Sequence, residues 1–530
     1  MDRQNDEGRK KVKMKERRRL WSIAGLILVI LISTGIAVYH GYYKEYLYED
    51  EVLSYTLSNS RNGGYFRLEA GKWYEGDDLY AYTFVEKGHG FDWKNTVRNQ
   101  QMDTHPPVYA LLLHAVCSFG PGHFSKWFGI GLNIVCYAAV IVLLYLTVLE
   151  LFPDRPGAAL FVCLTFGLTA GIISLVVFIR MYILLMVLTM LCLLWHLKAL
   201  EKTPSVSGFL LLCVLTFAGV MTHYFYLVFA FFCAAFLCIF WLCKKKVRSV
   251  LYYAGSMAVA AGLILITWNK VIWQMFAEET AEDALSQKLT AGVVFSKILK
   301  MTRQVNEELF GNRLKYLVII VLVFAVYLLI RDREKLKRAF AVSPRIAMTV
   351  VVSICFYLTV SAITPYLTTR YISPAYPLFI LLAVLTLDRV TGEVFRSPRL
   401  GLAVILLFFA LPELTLLKNG LFDENRRIIS ERSTEHEDDI CLFGNSISPE
   451  ENVFELRKFD RIYVYDGKNA KGASKEISDS DRVVVYVPEN VDEEEYVQDI
   501  RKINPDLKNM ERLYVAYYSK CYLLSKQGER

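Results

Sequence analysis

Apolar residues in this chain come in long uninterrupted runs, each bounded by polar or basic clusters, with little of the one-sided spacing of a helix lying on a soluble core. A run of about 20 residues, rising about 1.5 Å each as a helix, matches the roughly 30 Å hydrocarbon layer of a bilayer. The runs predict spans at 20–39, 125–151, 157–178, 181–198, 207–222, 223–243, 249–271, 314–330, 345–363, 371–388 and 399–417, eleven in all. A further apolar stretch, 106–119, is too short to cross and is interrupted by His114. It reads as an interfacial helix on the outer face.

Charge orients the spans. Arg9, Lys10, Lys11, Lys13, Lys15, Arg17, Arg18 and Arg19 precede the first run, and no A-x-A-like cleavage site follows it. The first span is therefore expected to be a retained signal anchor with residues 1–19 in the cytoplasm. Counting onward, the inner loops receive Arg155, then Lys198 and Lys202, Lys244 to Lys246 with Arg248, Arg331 to Arg338, and Arg389, Arg396 and Arg399. Every inner loop obeys the positive-inside rule. Making 106–119 a span would move the Lys244 and Arg331 clusters outside, and an odd number of spans leaves the C-terminal region outside.

This gives a membrane domain, 20–417, with outer loops 40–124 and 272–313, followed by a soluble extracytoplasmic domain, 418–530. In that domain β-rich runs at Ile440–Phe443, Arg461–Tyr465, Arg482–Val487 and Leu513–Leu524 alternate with helical patterns near 449–458 and 493–503, the cadence of a small α/β domain. The loop 272–313 mixes Glu278, Glu279, Glu282 and Asp283 with amphipathic stretches and reads as a flap with a solvated acidic face.

Composition agrees: 54% of the 530 residues are hydrophobic and the mean hydropathy is +0.31. The fold class is a polytopic α-helical membrane protein. The formal charge of +7 follows the inner loops and implies no nucleic-acid partner. Nearly all of the 11 cysteines lie in apolar runs as small hydrophobes, no zinc-like Cys or His spacing appears, and whether Cys441 and Cys521 pair is open. The absence of an N-x-[ST] sequon is consistent with a bacterial plasma membrane.

Chemistry concentrates at the outer side. Asp50 and Glu51 follow the first span in YLYEDEVLSYTL, placed for a general base on an acceptor hydroxyl, or for an acidic helix start. Asp77 and Asp78 are a lower-ranked rival pair. His105-Pro106-Pro107 stiffens the chain before a helix whose first N–H groups, with the histidine, suit an anion, although Pro at a first turn is common. Arg180 and Arg370 lie beside spans, where a guanidinium either snorkels to headgroups or binds a phosphate bidentately. His223-Tyr224 sits in a hairpin between two spans. The rings of Tyr42, Tyr43, Tyr46, Tyr48, Tyr55, Trp73, Tyr74 and Trp93 form either an aromatic belt or a sugar-stacking surface.

In order and spacing over about 20–390, these residues resemble the GT-C glycosyltransferases that use polyprenyl-phosphate sugars, in particular the branch of protein O-mannosyltransferases, lipid A aminoarabinose transferases and rhizobial lipopolysaccharide core transferases. Asp50-Glu51 resembles the acidic motif of their first outer loop, and His105-Pro106-Pro107 with VYALLLH is similar to their HPPLYYLLLH-like stretch. Arg180-Met181-Tyr182 is similar to their R-M-Y, His223-Tyr224 to their H-Y, and Arg370-Tyr371 with Pro374 and Pro377 to their R-Y-x-x-P-x-x-P. Where some members carry a lysine before the proline, this chain has His105.

The resemblance implies a GT-C fold and an inverting hexosyl- or pentosyltransferase. Asp50, more than Glu51, would be the base; His105, Arg180 and Arg370 would hold the donor phosphate; Tyr182, His223, Tyr224 and Tyr371 would line the substrate chamber. The implied partners are a polyprenyl-phosphate-linked sugar, an envelope glycan, lipid or protein acceptor, and membrane lipids. Some relatives bind a metal near the hairpin histidine; no second ligand is apparent here, and neither a metal nor a cofactor is expected. The rival readings are a transporter or flippase of lipid-linked sugars, weakened by the lack of an internal repeat, and a non-catalytic polyprenyl-phosphate-binding assembly protein.

Overall fold

A computed structural model describes residues 2–276, 290–364, 366–394, 433–516 and 518–526, with side chains from residue 17 onward except Arg18. Among these residues, eight helices are long and apolar enough to cross a membrane: Arg19–Tyr43, Lys126–Leu151, Tyr182–Glu201, Phe225–Cys243, Val247–Thr267, Leu314–Arg331, Pro344–Ile363 and Thr369–Val394. Each coincides with an expected span. The span expected at 399–417, and the acids Glu278, Glu279, Glu282 and Asp283, lie outside the described residues.

The remaining two expected spans differ. The run 207–222 forms the helix Val206–Val220, which at about 1.5 Å per residue is shorter than the hydrocarbon layer. The run 157–178 is two helices, Pro156–Leu168 and Ala170–Val177, bent by 61° at Thr169. The break has local causes. Thr169 takes an extended conformation and its hydroxyl donates to the Thr165 carbonyl at 2.7 Å, while the Gly167 carbonyl accepts from Tyr137 Oη at 2.6 Å. Neither glycine in the bend tolerates a side chain, since a Cβ on Gly167 would fall on the Ser33 side chain and one on Gly171 would lie 3.0 Å from the Glu308 carbonyl oxygen. Hydropathy reports only that both halves are apolar, so it joins them.

Two compact units result. The first contains the described residues within Met1–Tyr42, Thr104–Tyr109 and Ile130–Leu421. Its central helix is Tyr182–Glu201, most of whose side chains are buried. Leu314–Arg331 instead turns Val318, Ile319, Leu322, Val323, Val326 and Ile330 outward, an apolar face suited to lipid tails and unsuited to water. Within this unit the helices Ala291–Phe310, Leu314–Arg331, Pro344–Ile363 and Tyr376–Val394 enclose an apolar groove of about 460 Å³ lined by Val305, Phe310, Leu317, Tyr357, Phe379 and Leu382.

The second unit gathers the described residues within Tyr43–Asp103, Ala110–Gly129 and Phe422–Arg530. Its six strands are β1 (Trp73–Tyr74), β2 (Ile440–Gly444), β3 (Ile462–Tyr465), β4 (Arg482–Pro488), β5 (Asn509–Ala516) and β6 (Ser519–Ser525), in the order β1-β3-β2-β4-β6-β5. β2 pairs parallel with β3 and β4, and the other pairings are antiparallel. The helix Glu493–Ile503 is capped by Asp492, whose carboxylate accepts from the Glu495 N–H, with acids in its first turn and Arg501 and Lys502 in its last. Val497 and Ile500 on that helix pack on Leu442, Tyr465, Val483 and Val485 in one fully buried core.

The run read as one strand over Leu513–Leu524 is the β5–β6 hairpin, because Tyr518 turns the chain with φ 51°. No Gly, Asn or Pro marks that turn, so sequence gave no sign of it. Cys441 and Cys521 are free buried thiols on β2 and β6, with β4 between their strands.

Edge strand β1 belongs to the loop 40–124, so residues 43–103 of that loop and the C-terminal sheet form one unit. Gly76 fixes their closest approach. Its N–H donates to the Phe459 carbonyl at 3.1 Å, and a Cβ there would fall on the Leu456 and Phe459 carbonyl oxygens. Gly76→Ala is expected to cost about 1–3 kcal/mol. In detergent this reads as a melting temperature lower by a few degrees and faster protease cleavage within 60–90, whereas an unchanged melt and cleavage pattern would contradict the close packing.

Candidate functional site

In the first unit, the candidate residues meet at the end of the bundle opposite Lys244–Lys246. The helix Phe225–Cys243 runs from the His223 hairpin to that lysine cluster, so its two ends differ in charge and ring content. The hairpin is tight: the His223 N–H donates to the Gly219 carbonyl at 3.0 Å, and the Tyr226 ring lies where a Cβ on residue 219 would be. The Val108 N–H donates to the Met221 carbonyl at 2.9 Å, which ties the chain after His105-Pro106-Pro107 to the hairpin.

Arg370 sits on a 3-10 turn, Thr369–Ala375, that contains Pro374. Proline lacks an N–H and fixes its φ, so the turn cannot relax into a regular helix before Tyr376. The guanidinium lies 4.9 Å from the Phe178 ring centre and 5.9 Å from that of Tyr182, and its Nε donates to Thr368 Oγ1 at 3.0 Å. Cation–π contact holds such a charge in place.

Around it, His105 and His223 have ring centres 5.7 Å apart, Tyr182 and His223 6.0 Å, His223 and Tyr371 6.0 Å, and Tyr182 and Tyr371 6.3 Å. Arg180 is 5% exposed. Six of the sequence candidates, His105, Arg180, Tyr182, His223, Arg370 and Tyr371, are thus brought together. The Tyr224 hydroxyl donates to Gln274 Oε1 at 2.5 Å, an oxygen that also accepts from Trp268 Nε1.

His223 supplies the most informative detail. Burial, with the charges of His105 and Arg180 beside it, holds its imidazole well below the usual histidine range, so the ring is neutral. Its Nδ1 accepts from the Phe225 N–H at 3.1 Å, which leaves the proton on Nε2. That Nε2 is buried and makes no hydrogen bond. An orphaned buried donor costs about 1–3 kcal/mol until an acceptor arrives, and a phosphate oxygen is such an acceptor.

Glu308 is a participant that sequence reading passed over. Its carboxylate accepts from Thr369 Oγ1 and from Tyr376 Oη, both at 2.6 Å, and so pins the two ends of the turn that carries Arg370 and Tyr371. Burial pushes this carboxyl above its ordinary value, with Glu307 adding to the shift and the two hydrogen bonds opposing it. The signal was there: Met301, Val305 and Leu309 form the buried stripe of the helix Ala291–Phe310, and Glu308 stands three residues after Val305.

In the second unit, Asp50 and Glu51 occupy the first turn of the helix Glu49–Asn59. Glu51 is fully buried, and its Oε2 accepts from Lys44 Nζ at 2.9 Å and from the Tyr48 N–H at 3.0 Å. It closes the helix start as half of a capping box. Asp50 is half-buried one residue earlier. Of the rival pair, Asp77 faces Arg457 at 3.4 Å, and that arginine stacks on Tyr80 at 3.9 Å. His114, expected only to interrupt an interfacial segment, is buried in this unit, with Nδ1 3.3 Å from Asn59 Oδ1 and its ring 5.7 Å from Trp93.

A bundle of membrane-spanning helices with a small α/β unit is the fold of the GT-C glycosyltransferases. ArnT from Cupriavidus metallidurans in the apo state is similar with a TM-score of 0.53 at 12% identity, over 96% of this chain and 98% of that one. The same protein bound to undecaprenyl phosphate gives 0.53 at 11% identity over 95% and 97%. The apo oligosaccharyltransferase of Archaeoglobus fulgidus gives 0.48 at 11% identity over 96% and 75%. No protein-family model matches the chain. No curated protein matches it in sequence.

Because the folded value of Glu308 is raised, the folded protein holds that proton more tightly than the unfolded chain. Its contribution to stability is greatest at low pH and is lost as pH rises from the ordinary carboxylate value through the raised one. Glu308→Gln should flatten that decline in melting temperature between pH 4 and 8, while Glu308→Ala, which strands two hydroxyls, should cost about 1–3 kcal/mol. Identical pH profiles for the wild type and the glutamine variant would show that Glu308 does not carry the burden described.

Proposed function

We propose that this protein is an integral-membrane glycosyltransferase that moves a sugar from a polyprenyl-phosphate carrier to a hydroxyl of an envelope glycan, lipid or protein on the outer face of a bacterial plasma membrane. The observation that carries the reading is the cluster of Arg370, Arg180, His105 and the donor of His223 at one end of a bundle with this fold. Similarity to ArnT, solved with undecaprenyl phosphate, supports the choice of donor. The apolar groove of about 460 Å³ offers a surface suited to an isoprenoid tail.

The chemistry follows from the leaving group. A polyprenyl phosphate departs as an anion, so the site needs positive charge to receive it and no second carboxylic acid to protonate it. The acceptor oxygen forms its bond to the anomeric carbon as the bond from that carbon to the phosphate oxygen breaks, and the phosphate leaves with the electron pair. Asp50 takes the hydroxyl proton. Arg180, Arg370, His105 and the Nε2–H of His223 take the phosphate, and attack from the opposite face inverts the configuration. Glu51, engaged by Lys44, sets the helix start that presents Asp50. Tyr182 and Tyr371 border the sugar.

A transporter of lipid-linked sugars keeps one supporting observation, the bent pair Pro156–Leu168 and Ala170–Val177, the one such pair among the described residues. Purified protein in detergent separates the two readings, since there is no second compartment to transport into. Radiolabelled sugar should pass from carrier to acceptor, and Asp50→Asn should lower that transfer by about 10²–10⁴-fold with the melting temperature unchanged. Full transfer by Asp50→Asn would remove this residue from the mechanism, and no transfer by the wild type across envelope acceptors would favour transport.

A further inference from the structure

We propose that Cys192, His196 and Cys233 form a metal site inside the helix bundle that takes a soft divalent ion of the zinc(II) class. Cys192 and His196 are four residues apart on the helix Tyr182–Glu201 and share a face; Cys233 comes from the helix Phe225–Cys243. One donor atom from each lies within 4.8 Å of the others, and all three residues are fully buried. Along the sequence no metal-binding spacing shows, because the third donor belongs to a different span.

The surroundings fit a ligand set better than three chance hydrophobes. His196 Nδ1 lies 3.6 Å from Cys192 Sγ, and its Nε2 lies 2.9 Å from Tyr253 Oη. A partner on the second ring nitrogen is what orients a metal-bound imidazole. When the metal takes Nδ1, the imidazole gives up its present contact with the Cys192 carbonyl oxygen at 2.7 Å and keeps the tyrosine. Tyr226, two turns before Cys233 on the same helix, is fully buried and its hydroxyl makes no hydrogen bond of ordinary geometry. Cys163, by contrast, simply donates to the Ile141 carbonyl at 3.4 Å.

Charge selects the ion. Two thiolates, one neutral imidazole and one divalent cation sum to zero, the state that an apolar bundle tolerates best. A monovalent copper ion would leave one negative charge, and calcium or magnesium would want oxygen donors that this set lacks. Binding balances as one ion taken up and two thiol protons released. The ion would clamp together the two spans whose far ends carry Tyr182 and the His223 hairpin, independently of any chemistry performed there.

Full burial implies loading while the protein folds, so the test uses full-length protein expressed with zinc and purified without chelators. Elemental analysis is expected to find close to one zinc per chain, falling at least about five-fold in Cys192→Ser and in Cys233→Ser. X-ray absorption on the wild type, which requires no variant to fold, should show two sulfur neighbours at about 2.3 Å. Zinc well below one per chain in the wild type, a full complement in either serine variant, a sulfur-free zinc shell, or a Cys192–Cys233 disulfide found by mass spectrometry would each overturn the assignment.

Discussion

Positive charge at the edge of an apolar bundle is the constraint on which this structure turns. A guanidinium removed from water loses hydration that only another strong interaction restores. Arg370 gains part of it from the π faces of Phe178 and Tyr182 and from the Thr368 hydroxyl. Those contacts fix its position beside Phe178 and Tyr182. His223 shows the same economy from the opposite direction: its proton is confined to Nε2 and held, unbonded, in a buried position.

Much of the local architecture serves that arrangement. A 3-10 turn with an internal proline sets Arg370 and Tyr371, and Glu308 holds its two ends through Thr369 and Tyr376. On the other side, the close approach of Gly219 to the Tyr226 ring makes the hairpin tight enough to bring His223 within 6.0 Å of Tyr182 and Tyr371. In the second unit the division of labour between the acids is equally physical. Glu51 is occupied by Lys44 and the Tyr48 N–H and closes the helix start, while the neighbouring Asp50 is half-buried in the first turn.

The spans were legible because a hydrocarbon layer imposes one length and one polarity, and eight described helices obey both. The grouping of His105, Arg180 and Arg370 was legible where charge intrudes on that pattern, because such residues are costly there unless they have partners. What hydropathy does not encode was missed. The bend at Thr169 depends on backbone carbonyls and small residues, and the β5–β6 turn falls on Tyr518, a residue with no turn preference. Glu308 was hidden because a carboxylate near other acids resembles a solvated face until its helical phase is compared with Met301, Val305 and Leu309. The grouping of Cys192 and His196 with Cys233 needs two helices to be packed first. Nor does chain order reveal that the loop 40–124 lends a strand to a sheet more than 350 residues later.

The central claim is that a cluster of donors at one end of the bundle recognises the phosphate of an isoprenoid carrier. Calorimetric titration of purified protein in detergent with undecaprenyl phosphate, and in parallel with the unphosphorylated alcohol, tests it most directly. Charge-assisted hydrogen bonds of about 1.5–3 kcal/mol each predict tighter binding of the phosphate by about 10–100-fold or more, a preference lost in Arg370→Ala. Equal affinity for phosphate and alcohol, or a preference that survives without Arg370, would contradict the account.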